Sequence, residues 1–505
     1  MHLRRPRVLV VAMVAVAMLL PACGSGGSSG GTETLRVAYR GDISSLDPIK
    51  GNSGTDHVML YTMYDTLISF EKDTLKPKAA LAESWDQSDP SKLVLKLRKD
   101  VTFHDGTPFN ADAVKFNIER AMGEGSNVKT DIDSVKGVAV VDEFTAQLDL
   151  SRPDAGLLLV LADRPGMMVS PAAAGEDDAL AKKPVGAGPW AFSEWKRGDS
   201  LKVKAYGGYW DKESAIVDEI VFKFLSDPKT RLSSLASGQQ DVAMDLAPSD
   251  VSKVEKNEKL KLISSPSLWV SEVYINKASP EFEDPRVRRA LSISIDRDEI
   301  VKSALFGRAT PASSWSPKGH WAEASDSVKF DFDLAEAKSL LEEAGVGDGF
   351  AFDMIVIAEP VQVRQAEIMK ETWAKIGIKV NLVPTELVQA TTDMFEGKRA
   401  PAYLSAWTGR PDPVQTIRAQ FYEDGYQNAG KVATPGLLDV VKKSDAAVDQ
   451  DKRVALMREA DELIFKDVPI IPIVFQDLLV GYSSKLTGME PNLLGKMKFV
   501  GVAIK

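Results

Sequence analysis

The chain has a single cysteine in 505 residues, Cys23, and it follows almost directly on a long apolar run. Neither an intrachain disulfide nor a thiolate metal cage can form, so the fold must be held by burial and hydrogen bonding. The chain is long enough for that. At one domain per roughly 150 residues, it suits about three domain-sized units or one large two-lobed body. A composition 44% hydrophobic and 27% charged is ordinary for a globular protein and excludes disorder or fibrous structure over most of its length.

Arg4, Arg5 and Arg7 form a positive opening before the apolar stretch from Val8 to Leu20. Such a stretch has the length of a signal-peptide core and is too short to span a bilayer of roughly 30 Å. Leu20-Pro21-Ala22-Cys23 looks like a bacterial lipobox, in which the cysteine is diacylglycerylated and the chain is cleaved before it. The alternative is a plain signal peptide whose cysteine is incidental. Residues 1–22 are read as signal peptide and 23–33 as the lipidated Cys23 and its tether. Gly24 to Gly31 are all Gly or Ser, a flexible segment with a reach of roughly 15 Å. Loss of the three arginines takes the formal charge from -10 to -13. The expected product is an acidic, extracytoplasmic body, lipid-anchored at a cell surface or periplasmic face. No basic run follows the leader, which argues against nucleic acid or anionic headgroups as the main partner.

Strand and helix patterns alternate along the rest, which implies an α/β body. Leu35 to Tyr39 and Leu93 to Leu97 alternate as half-buried strands. A helix is expected from Ala111, capped by Asn110, with Val114, Ile118 and Met122 on one stripe. Asp284 followed by Pro285 starts another. Asp296 with Glu299, and Asp333 with Glu336, have capping-box spacing. The latter pair opens a helix with Leu334, Ala337, Leu340, Leu341 and Ala344 inward, stopped by Gly345. A last helix, marked by Val454, Met457, Asp461 and Ile464, ends before Pro469, and Ile470 to Phe475 reads as a buried strand.

Several segments then match one family in order. Leu46-Asp47-Pro48 and Tyr64-Asp65-Thr66-Leu67 come first, followed by Leu81 to Trp85, Leu97 to Gly106 (LRKDVTFHDG) and Asn110 to Val114 (NADAV). Val185 to Trp190 (VGAGPW), Tyr209-Trp210, Leu235 to Asp241, Asp284 to Leu291 (DPRVRRAL), Ile295-Asp296-Arg297 and Ala337 to Gly345 complete the set. Together they resemble the family 5 solute-binding proteins of ABC importers, the dipeptide-, oligopeptide- and nickel-binding lipoproteins. That resemblance implies a two-lobed fold of the type II periplasmic-binding-protein kind, with an extra α/β subdomain in the first lobe. Lobe I is expected at 34–65, 185–265 and 482–505, its extra subdomain at 66–184 and lobe II at 266–481. It also implies a monomer without cofactor or enzymatic activity. Such a protein captures a peptide or other small solute between the lobes and hands it to membrane permease subunits served by ATPases.

The informative loop is Trp407-Thr408-Gly409-Arg410-Pro411-Asp412-Pro413. It resembles the family's second-lobe ligand loop, whose third residue after the tryptophan is, in peptide binders, an aspartate holding the peptide's amino group. Here that position is Arg410, which repels an ammonium and offers a fork to carboxylate or phosphate. A ligand with an acidic or accepting group facing Arg410 is therefore expected, the alternative being an Arg410–Asp412 pair. Trp407, Thr408 and Gly409 join Arg410 and Asp412 as candidate ligand residues, Asp412 being equally suited to capping the next helix. Trp269 is placed where the chain crosses between lobes, and Tyr39 and Asp42 just after the first strand.

Other chemistries find little support. His104-Asp105-Gly106 reads as a turn, and Gly186-Ala187-Gly188 is followed by Pro189-Trp190 rather than by a phosphate-binding helix. His57, His104 and His320 do not cluster, so no metal site is expected. A metal in a carboxylate chelator remains compatible with Arg410. The rivals are a surface-anchored hydrolase, for which no catalytic trio stands out, and a binding module for sensing or chaperoning without transport.

Overall fold

A computed structural model describes residues 33–51, 54–175, 178–323, 328–397 and 400–505. The expected signal peptide, Cys23 and the Gly/Ser tether lie outside them. Two large sheets organise the body. In the first, Thr34–Tyr39 is central, parallel to Glu219–Phe224 on one side and to Val242–Ala243 on the other. Ser200–Ala205 and Trp190–Lys196 extend it antiparallel at one edge, and Leu478–Ser483 and Leu260–Ser265 at the other. The second sheet runs Ala309–Pro311, Ile470–Gln476, Val270–Ile275, Ala402–Trp407, Ala351–Ile357, Lys379–Thr385. Every residue of Val270–Ile275 and of the expected strand 470–475 is buried, as a central strand covered on both faces requires.

The chain passes from the first sheet to the second at 266–269 and returns at Asp477. The two crossings are bonded side by side. Gln476 N–H donates to Trp269 O at 2.7 Å, and Ser267 Oγ–H donates to Gln476 O at 2.7 Å. Ser264 Oγ–H donates to the Asp477 carboxylate at 2.6 Å. Two short adjacent connections make a hinge of the kind that lets lobes close. The lobe boundary expected at 482 needs correction: Leu478–Ser483 pairs over its whole length with Leu260–Ser265, so the return to the first sheet comes at Leu478.

Within the first lobe, Ala82–Asp86, Lys92–Leu97, Thr145–Leu150 and Val135–Asp142 form a four-stranded antiparallel sheet. Helix Ala111–Met122 packs on it through Val114 and Ile118, and Asn110 accepts from Ala113 N–H as its cap. The other capped starts behave alike. Asp284, Asp296 and Asp333 accept from the first-turn amides of Pro285–Ile293, Arg297–Ser303 and Leu334–Glu343. On the last of these only Ala337 and Leu341 are buried, while Leu334, Leu340 and Ala344 are half-buried. Helix Gln450–Asp467 ends ahead of Pro469 as its pattern required.

The family-like motifs prove to be packing devices. His104 and the glycines of Val185 to Trp190 lock together: His104 N–H donates to Gly186 O at 2.9 Å and Nε2–H to Gly188 O at 2.9 Å. Gly186 N–H donates to His104 Nδ1 at 3.3 Å, which fixes the tautomer. Burial holds this imidazole down at about 4. Arg288 is buried and donates to the carbonyls of Phe282, Glu283, Asp467 and Val468 as well as to the Asp467 carboxylate. It thereby clamps the end of Gln450–Asp467, where Val468 has φ 46°. Among the described residues no helix is long and apolar enough to cross a membrane.

Candidate functional site

A cavity of about 680 Å³ opens between the two lobes beside the crossings. Tyr39, Arg40 and Asp245 wall it from the first sheet and Lys496 from the returning C-terminal segment. Thr408 and Gln362 face it from the second lobe, with Trp269 at the crossing itself. Both lobes therefore contribute to one enclosure.

Three of the residues singled out in the sequence meet there. Tyr39 ends the central strand of the first sheet and is 3% exposed; burial pushes its hydroxyl pKa up. Trp269 lies under the Arg40 guanidinium, 4.8 Å from ring centroid to Cζ, and among the described residues its buried Nε1–H has no acceptor. Thr408 approaches the first lobe so closely that a Cβ on Gly54 would lie 3.3 Å from its Oγ1.

The other five are not among the cavity's lining side chains. Trp407 donates through Nε1–H to Thr416 Oγ1 at 3.0 Å and packs against Val270, Ala312 and Phe475. Gly409 is required as glycine: its φ is 70°, and a Cβ there would lie 2.3 Å from Leu268 Cβ. Arg410 stacks on Trp407 at 4.5 Å and donates to its own Gly409 carbonyl at 2.9 Å. Asp412 does not pair with it. Instead Asp412, 0% exposed, caps helix Pro413–Phe421 through Val414 N–H at 3.0 Å and accepts from Arg453 Nη2 at 2.8 Å. Asp42 accepts from Trp195 Nε1–H at 2.8 Å and Gly198 N–H at 2.7 Å, tying down a hairpin of the first sheet.

Arg410 nevertheless faces charged neighbours across the lobes. Its field opposes the rise of the Asp131 carboxyl, which burial pushes up to about 6, and it adds to the stronger pull of His57 and Lys496 in holding the buried Asp163 carboxyl low. Asp163 contacts His57 Nε2, and His57 Nδ1–H donates to Gly54 O at 3.1 Å. Burial pulls the His57 imidazole down to about 4, against the attraction of Asp163. Arg164 pairs with Asp56 at 3.0 Å in the same cluster.

Two contributors escaped the sequence reading. Gln362, in the first turn of helix Pro360–Ala374, is 6% exposed and its Oε1 has no donor among the described residues. Lys496 is 5% exposed and its Nζ has no acceptor among the described residues. Neither sits in a recognisable motif. Proximity to Pro360 at a helix start could have suggested Gln362, whereas only the three-dimensional return of the C-terminus places Lys496.

A family model for "Bacterial extracellular solute-binding proteins, family 5 Middle" matches residues 76–429. The chain belongs to that family. It is 30% identical over 476 residues to the glutathione-binding protein GsiB of Salmonella choleraesuis, covering 90% of this chain and 91% of that one. The periplasmic binding protein DppA of Helicobacter pylori, solved in complex with peptide STSA, superposes with a TM-score of 0.81 at 25% identity, covering 93% of this chain and 98% of that one. CtaP of Listeria monocytogenes shares the fold, with a TM-score of 0.83 at 22% identity over 94% and 99% of the two chains. This family 5 member is thus a two-lobed substrate-binding protein of the ABC-importer kind, and its relatives are extracytoplasmic solute binders rather than enzymes.

Proposed function

We propose that the protein is the lipid-anchored capture subunit of an importer and that its solute is a small, acidic, peptide-sized molecule. The observation that carries this reading is the cavity walled by both lobes at the hinge. Its volume lies in the usual range for small-molecule sites, roughly 300–1,000 Å³. A solute touching both walls binds the closed form better than the open one, so closure reports occupancy to permease subunits. The acidic character is supported by Lys496 and Arg410, cations that the protein does not neutralise by ion pairs of their own among the described residues. The relation to a glutathione-binding protein supports it too, since glutathione is a tripeptide with two carboxylates.

The test is thermal unfolding of the soluble form beginning at Gly24, with reduced glutathione, short peptide acids and the corresponding amides. A ligand present at about a hundred times its Kd should stabilise the fold by about 2.7 kcal/mol. At least one acid should do so, and its amide should do so less. Stabilisation by amides alone would refute the acidic reading. Anchoring through Cys23 is supported by the leader, the sole cysteine and the tether. Cys23→Ser should move the protein from the membrane to the soluble fraction; unchanged membrane retention would reject the anchor.

A further inference from the structure

The cavity wall includes a buried cation with no hydrogen-bond partner among the described residues. Lys496 is held in place by Asn492, which donates through Nδ2–H to Lys496 O at 2.7 Å and accepts from Lys496 N–H at 3.2 Å. The backbone is thus fixed in both directions while the ammonium, in a side chain 5% exposed, makes no hydrogen bond among the described residues. Asp163 attracts it, yet no carboxylate among the described residues hydrogen-bonds to it. Asp163 is already shared with His57 and the Arg164 amide, Arg164 is paired with Asp56, and Arg410 adds a like charge. Burial pulls the Lys496 ammonium down to about 8 against the attraction of Asp163, and Arg410 and Arg164 pull the same way as burial. A buried ammonium is ordinarily paired, because desolvation is otherwise uncompensated. Trp269 Nε1–H, a second buried donor lacking an acceptor, lines the same cavity.

We propose that Lys496 is the residue that receives a carboxylate of the captured solute, which supplies the ion pair the protein withholds. The assignment rests on the reading of this chain as a capture subunit for an acidic, peptide-like solute. It places specificity for the acid on the returning C-terminal segment rather than on the loop at Trp407–Pro413. Arg410 contributes at longer range by keeping the region electropositive.

Lys496→Met keeps the side-chain length and removes the charge; Lys496→Arg keeps the charge. Without solute, Lys496→Met should unfold no earlier than wild type, because the burial that disfavours the ammonium outweighs the attraction of Asp163. A clearly lower midpoint would show that the lysine is structural and overturn the assignment. Titration then compares reduced glutathione with its diethyl ester, which lacks both carboxylates. Wild type should prefer glutathione by about tenfold to hundredfold, the worth of one charge-assisted hydrogen bond. Lys496→Met should lose that factor for glutathione and nothing for the ester, and Lys496→Arg should keep most of it. If Lys496→Met binds glutathione as wild type does, the assignment falls while the acidic-solute reading stands. If wild type itself prefers the ester, or binds neither these compounds nor any of the short peptide acids, the reading falls and the assignment with it.

Discussion

Asp412→Ala is expected to cost about 3–5 kcal/mol of stability, because it leaves a buried arginine without its counter-charge. Arg453 is 3% exposed, its guanidinium sits 4.9 Å over Trp321, and its Nη2 donates to Asp412 at 2.8 Å. The same substitution removes the cap of helix Pro413–Phe421, worth about 1 kcal/mol. Adding Arg453→Met should recover part of the loss, since removing both charges abolishes the unpaired one. Solute affinity of the folded fraction should change little, because Asp412 is not part of the cavity wall. Unfolding curves for the single and double variants, read beside a titration, decide the matter. Near-native stability with lost binding would return Asp412 to the ligand site.

Gly186→Ala should destabilise the first lobe. A Cβ at Gly186 would lie 2.1 Å from Met63 O and 2.5 Å from Tyr64 Cδ1. Met63 and Tyr64 are almost fully buried and cannot withdraw into solvent. The clash is with backbone, so relief requires helix His57–Met63 and the segment from Val185 to Trp190 to separate. That would break the bonds from Gly188 N–H to Met63 O and from His104 N–H to Gly186 O. Overpacking typically costs about 1–3 kcal/mol and occasionally more, and a backbone neighbour that cannot yield puts this site at the upper end. Gly137→Ala, where nothing lies within 4 Å of the added carbon, is the matched control and should stay within about 0.5 kcal/mol. Equal midpoints for the two variants would contradict the packing described.

Much of this architecture was legible because its signals are local. Asp284 before Pro285 and Asp333 before Glu336 start helices through bonds made within three residues, and 470–475 announces a covered strand by being apolar throughout. The crossing at Trp269 was legible only through the family resemblance. What stayed hidden depends on partners far along the chain. Asp412 looks like a ligand residue until Arg453, on a different helix, is seen to claim it. Arg288 looks like a surface arginine within DPRVRRAL, yet it is buried against the carbonyls at 467 and 468. Lys496 lies in a mostly apolar stretch, with Leu493, Leu494, Met497 and Phe499 buried around it, and reaches the cleft only because the chain comes back to the first sheet at Leu478. Of the loop from Trp407, Thr408 rather than Arg410 lines the cavity.

We propose that both lobes close around one small acidic solute. Native mass spectrometry of the form beginning at Gly24, purified gently from cells grown on rich medium, tests it most directly. The predicted result is a single low-mass adduct at one per chain, released on denaturation and carrying at least one carboxylate. An adduct that is neutral or purely cationic would contradict the account of the cleft, and chemical turnover of the released compound by the protein would contradict its role as a carrier.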